Sequence, residues 1–193
     1  MTEALRTILQ LALAGAMLTA IAMAAGWWFE TARRLKRNLR HVLGGAPDAI
    51  AVDPADGRAA AIRFDSRQLA VLWDKGASGL VYHFQEIDGA ELIVDGHVSA
   101  RVARGEARKA LDAVDGDAGQ VTLRLIFADA RFPEFELDLW GVGSAHRPDS
   151  ETPADAVRSG RRWLSHVDAV IKRSRAKAKP RDEAFPEEDD GQT

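Results

Sequence analysis

The chain contains no cysteine. That absence removes disulfide stapling, thiol catalysis and every thiolate zinc site in one step. No charge sign dominates: 26 basic residues face 29 acidic ones, for a formal net charge of -3. Metal-ligand spacing is missing as well, because none of the five histidines, His41, His83, His97, His146 and His166, stands at the separation of a metal pair on one helix or strand. With 46% hydrophobic residues, 16 glycines and 7 prolines in 193 residues, the composition excludes collagen-like, disulfide-rich and wholly disordered chains. It suits one ordinary domain with appendages.

Motifs that hint at chemistry fail on spacing. Gly141-Val142-Gly143-Ser144 opens like a phosphate loop, but no lysine or third glycine follows in register. Asp112, Asp115, Gly116 and Asp117 lack the alternate ligands and closing glutamate of a calcium loop. Ser165, His166 and Asp168 are the residue types of a nucleophilic triad, yet neighbours on one helix point in different directions. Glu134, Glu136 and Asp138 share one strand face and read as its wet side. The expectation is therefore no catalytic residue, no metal and no cofactor.

The long feature that is present is an apolar run. Thr7 to Phe29 contains 23 residues without a charge, roughly 34 Å as a helix against a hydrocarbon core of about 30 Å. It predicts a transmembrane helix, with Trp27, Trp28 and Phe29 at the interface and Arg33, Arg34, Lys36, Arg37 and Arg40 as a basic, lipid-facing flank. The flank predicts a single pass through the inner (plasma) membrane with the bulk of the chain in the cytoplasm. The competing reading is an exported protein with a signal peptide cleaved near Ala22-Met23-Ala24.

Four segments follow: 1–29 as terminus and span, 30–46 as a basic helix and Gly-Gly linker, 47–179 as the domain, and 180–193 as a disordered acidic tail. Leu35, Leu39, Val42 and Leu43 form one helical face. Within the domain the period changes to two. Strands are expected at 49–53, 59–64, 69–73, 80–84, 90–94, 97–102, 121–128 and 134–140, and 104–114 is open between a helix and a loop. Arg131, Phe132 and Pro133 fall at the tip of the last hairpin, where an exposed Phe132 with Arg131 suggests a partner contact. A closing helix is signalled by Thr152 as cap, Pro153 at its first position, and Val157, Gly160, Leu164, Val167 and Ile171 along one stripe.

The blocks AIAVDPADGRAAAIRF, LVYHFQEIDGAELIVDG, VTLRLIFADARFPEFELDLWG and RRWLSHVDAVI together resemble a pleckstrin-homology-like domain of the kind that small bacterial proteins attach to a membrane segment. The resemblance implies a mainly β fold, an antiparallel barrel or sandwich capped by a C-terminal amphipathic helix. It also implies a binding or scaffolding module. The turn Asp53-Pro54-Ala55-Asp56-Gly57-Arg58 offers two acids and one arginine where lipid-binding relatives carry a basic loop, so it does not form an inositide pocket. Residues 47–152 carry -8, which speaks against nucleic acid as a partner. The function expected is a membrane-anchored, non-enzymatic interaction module with a protein partner. A lipid- or small-molecule-binding barrel, with polar groups converging near His83 and His97, is the alternative.

Overall fold

The computed structural model describes residues 2–106, 109–110, 117–141 and 152–178, with side chains omitted at 2–5, 21–22, 24–25, 27–29, 109–110 and 174–178. His146, Asp112, Asp115, Gly116, most of the glycine-rich segment after Gly141 and the acidic tail lie outside these residues.

The fold is mainly β. Strands β1 (Ala49–Asp53), β2 (Arg58–Arg63), β3 (Gln68–Trp73) and β4 (Ser78–His83) form one antiparallel meander. Strands β5 (Ile87–Val94), β6 (His97–Ala103), β7 (Lys109–Ala110), β8 (Val121–Phe127) and β9 (Glu134–Trp140) form a second antiparallel sheet in the order β7-β6-β5-β8-β9. The described part of 104–114 thus contributes a two-residue edge strand rather than a helix.

The alternation explains the core. Leu92 of β5, Leu123 and Leu125 of β8 and Leu137 of β9 are buried with Ile62, Leu69 and Val71 of the first sheet, so the apolar faces of both sheets share one interior. Helix α2 (Pro153–Ala178) covers this interior from the side of the second sheet, burying Trp163, Leu164 and Val167. Thr152 accepts the Asp155 N–H at 3.2 Å and donates to its carboxylate at 2.9 Å, which caps the helix start. Gly160 marks the close approach of α2 to the sheet: a Cβ there would stand 2.3 Å from a Leu92 methyl and 3.2 Å from a Leu139 methyl, so those side chains would have to shift to admit one.

On the outer face of the second sheet, charges alternate across four strands. Arg101 of β6 pairs with Glu91 of β5 at 3.5 Å, Glu91 with Arg124 of β8 at 3.0 Å, and Arg124 with Glu136 of β9 at 2.7 Å. Cross-strand opposite charges of this kind contribute roughly 0.2–1 kcal/mol each. Only 8% of Glu91 is exposed, and the two guanidinium groups supply the partners that burial demands.

The first sheet differs because both faces of its inner strands β2 and β3 are covered. Ala59, Ala60, Ala61 and Ile62 are all fully buried. One face belongs to the shared interior, whereas the other, formed by Val52, Ala59, Ala61, Ala70 and Leu72, receives Ala32, Leu35, Leu39 and Leu43. These come from helix α1 (Thr2–Val42) and the residue that follows it. The basic positions Arg33, Arg34, Arg37 and Arg40 are exposed and Lys36 is half-buried, so the stripe expected beside a membrane is in fact the contact surface with the sheet.

Among the described residues, no helix is long and apolar enough to cross a membrane. This corrects the transmembrane helix expected over 7–29 and, with it, the single-pass inner-membrane placement. Helix α1 runs unbroken from Thr2 to Val42, and its C-terminal end packs on the first sheet. Ile8, Leu9, Leu11, Leu13, Met17 and Leu18 are exposed along the helix. The side chains of Trp27, Trp28 and Phe29 lie outside the described set. Their assigned interfacial role, like that of Arg33, Arg34, Lys36, Arg37 and Arg40, has no span to flank among the described residues.

Docking of α1 predicts a cost when its buried stripe is cut. Leu39→Ala should lose about 2–5 kcal/mol in urea unfolding, while Val42→Ala, at an exposed position, should stay within about 0.5 kcal/mol of the parent. Equal behaviour of the two variants would contradict the packing.

Candidate functional site

The site forms where the two sheets part. The end of β3 places Trp73 at the rim of the interior, and the start of β4 adds Leu80 and, two residues on, Tyr82. The β8–β9 hairpin approaches from the other sheet with Phe127, Phe132 and Phe135. Between them lies an open cleft of about 340 Å³.

Ring contacts shape its walls. Tyr82 stacks on Phe127 with centroids 3.9 Å apart and planes inclined at 11°. Trp73 meets Phe132 at 5.7 Å and 34°. Phe132, expected to project from the hairpin tip, is 47% exposed and leans on the opposite sheet as the lip of the cleft. Arg131 is exposed beside it, outside the cleft lining.

The tip is held by Asp129. Its carboxylate accepts the Arg131 N–H at 2.8 Å and the Phe132 N–H at 3.4 Å, an Asx turn, and receives the Tyr82 hydroxyl at 3.2 Å. These bonds, the Arg131 amide first, hold the carboxyl below the usual aspartate range. Burial, followed by the Asp129 charge, pushes the Tyr82 phenol from 10.0 up to about 12.

The wall below Trp73 is equally constrained. Asp74 and Lys75 both take positive φ, 52° and 56°, in the turn between β3 and β4. That turn is held from two sides: Lys75 N–H donates to the Gly57 carbonyl at 3.0 Å, and Asn38 of α1 donates to the Gly76 carbonyl at 3.0 Å. Gly57 has φ +65° and a Cβ on it would meet the Lys75 backbone at 2.7 Å, so the β1–β2 turn fits only with glycine there.

Charge around the opening is mostly negative. Asp56, Asp74, Glu134 and Glu136 line it with one cation, Arg58. Arg58 donates to the Glu136 carbonyl at 3.1 Å, and the Glu136 carboxylate pairs with Arg124. Beside the cleft, carboxylate oxygens of Asp53, Asp56 and Asp138 lie within 4.8 Å of one another, a geometry open to a cation. Two of the three are used internally: Asp53, 2% exposed, accepts the Ala55 and Asp56 amides, and Asp138 accepts the Thr122 hydroxyl at 2.6 Å.

The other singled-out residues do not converge. Ser165 Oγ donates to the Arg161 carbonyl, Asp168 pairs with Lys172 at 2.7 Å, and His166 packs on the Phe64 ring at 5.5 Å. Burial, then Arg162, keeps the His166 imidazole below its ordinary value. His83 ends β4 and His97 begins β6 in different sheets, both exposed, and neither lines the cleft. Sequence reasoning found Phe132 but missed Trp73, Tyr82 and Phe127. The available signal was their parity, since each continues the buried face of its strand to the strand end.

No family model, curated protein or solved structure matches the chain.

Tyr82 is the only tyrosine, so absorbance at alkaline pH reports it alone. It should titrate near 12, and Asp129→Asn should lower the midpoint without restoring 10.0, because burial remains. The folded value being raised, the stability tied to this group is complete below pH 10.0 and is lost as pH rises toward 12. A parent midpoint near 10.0 would contradict the stack and the bond.

Proposed function

We propose that the chain is a non-enzymatic interaction module that binds a protein partner by taking one of its side chains into the aromatic cleft. The observation that carries this reading is the cleft itself: an open, aromatic-walled recess with a half-exposed phenylalanine at its lip. Aromatic groups in a recess are the usual anchors of protein recognition, since they bury large area at low entropic cost. Two antiparallel sheets closed by a C-terminal helix support carrying the pleckstrin-homology-like reading forward as a scaffold for such a site, although fold alone assigns no partner. The separate engagements of Ser165, His166 and Asp168 support a binding role over a hydrolytic one.

A small-molecule ligand is the second reading, favoured by the volume, which is at the lower end of the roughly 300–1,000 Å³ of ligand pockets. Selection of a displayed peptide library on the immobilised full chain separates the two. Enriched peptides should lose about ten-fold or more in affinity on Trp73→Ala and Phe132→Ala, the loss of an anchor contact. Peptides that bind both variants as well as the parent would overturn the proposal.

A further inference from the structure

We infer that the side chain this cleft accepts is a cation, the lysine or arginine of a basic segment in a partner protein; the inference rests on the reading of the cleft as a side-chain seat. Two independent properties of the lining point there. The first is the rings. Trp73, partly buried, and Phe132, 47% exposed, offer ring surface to the recess, while Tyr82 and Phe127, each 4% exposed, are stacked on each other within its lining. The faces of such rings carry negative potential that attracts ammonium and guanidinium groups, with tryptophan the strongest.

The second property is charge. Of the four acids at the opening, Glu134 and Glu136 both pair with Arg124, at 3.6 and 2.7 Å, leaving Asp56 and Asp74 against Arg58. The Arg58 guanidinium is already committed to the Glu136 carbonyl. The excess of carboxylates repels phosphate and carboxylate ligands, draws in cations and stands close enough to the rings to act on the same group. An apolar side chain would gain from the rings alone, whereas a cation gains from both.

The test uses the isotope-labelled full chain and two acetylated, amidated peptides identical except at one central position, arginine in one and norleucine in the other. The arginine peptide should shift the Trp73 indole and Phe132 amide resonances at millimolar concentration and bind roughly three- to thirty-fold more tightly than the norleucine peptide. Its affinity should fall as salt is raised from about 50 to about 500 mM. The double variant Asp56→Asn, Asp74→Asn should reduce the preference; asparagine tolerates the positive φ at position 74, so the turn is kept. Norleucine binding as tightly as arginine at the same resonances would overturn the cation and leave the side-chain seat standing. If neither peptide moves those resonances, the seat itself is wrong, and the inference falls with it.

Discussion

The structure depends on the burial of the first sheet's inner strands from both sides. Ala59, Ala60 and Ala61 leave no solvent-facing side on β2, and the small side chains let helix α1 and the shared interior approach the same strand from opposite directions. Close approach of layers is where most dispersion and hydrophobic stabilisation arises. The helix also reaches past the sheet: Asn38 holds the Gly76 carbonyl, and the turn so fixed carries Asp74 and follows Trp73. A wall of the cleft is therefore braced from outside by helix α1 through this turn.

The opposite wall is set by electrostatics and ring stacking. Asp129 gathers the hairpin tip through two amides and fastens it to Tyr82, while Phe132 closes the gap to Trp73. Behind the hairpin, Arg124 couples β8 to β9 and β5 through its acids. Both walls are thereby built on ordered strands and braced from outside, the arrangement that holds a recognition site in a single geometry before any ligand arrives.

How far the sequence revealed this varied with the range of the interaction. The second sheet was plain because Val121 to Phe127 and Glu134 to Trp140 alternate cleanly with one wet face, and helix α2 announced itself through Thr152, Pro153 and its stripe. The run RAAAIR also fits a two-sided strand, since buried strands read as continuous apolar stretches, and strict alternation does not describe it. The stripe Leu35, Leu39, Leu43 was visible as well; what local pattern could not reveal was that it meets a sheet. The cleft was least legible. Trp73, Tyr82 and Phe132 are brought together by the pairing of distant segments and by the Asp129 turn, and no spacing in the chain records that.

If two-sided burial is the organising contact, α1 and the sheet open as one unit. Native-state hydrogen exchange on the full chain measures this directly. The expected result is one shared opening free energy for the amides of residues 35–43 and those of Ala59 to Ile62. Exchange of the helix amides through a smaller opening that leaves β2 protected would contradict it.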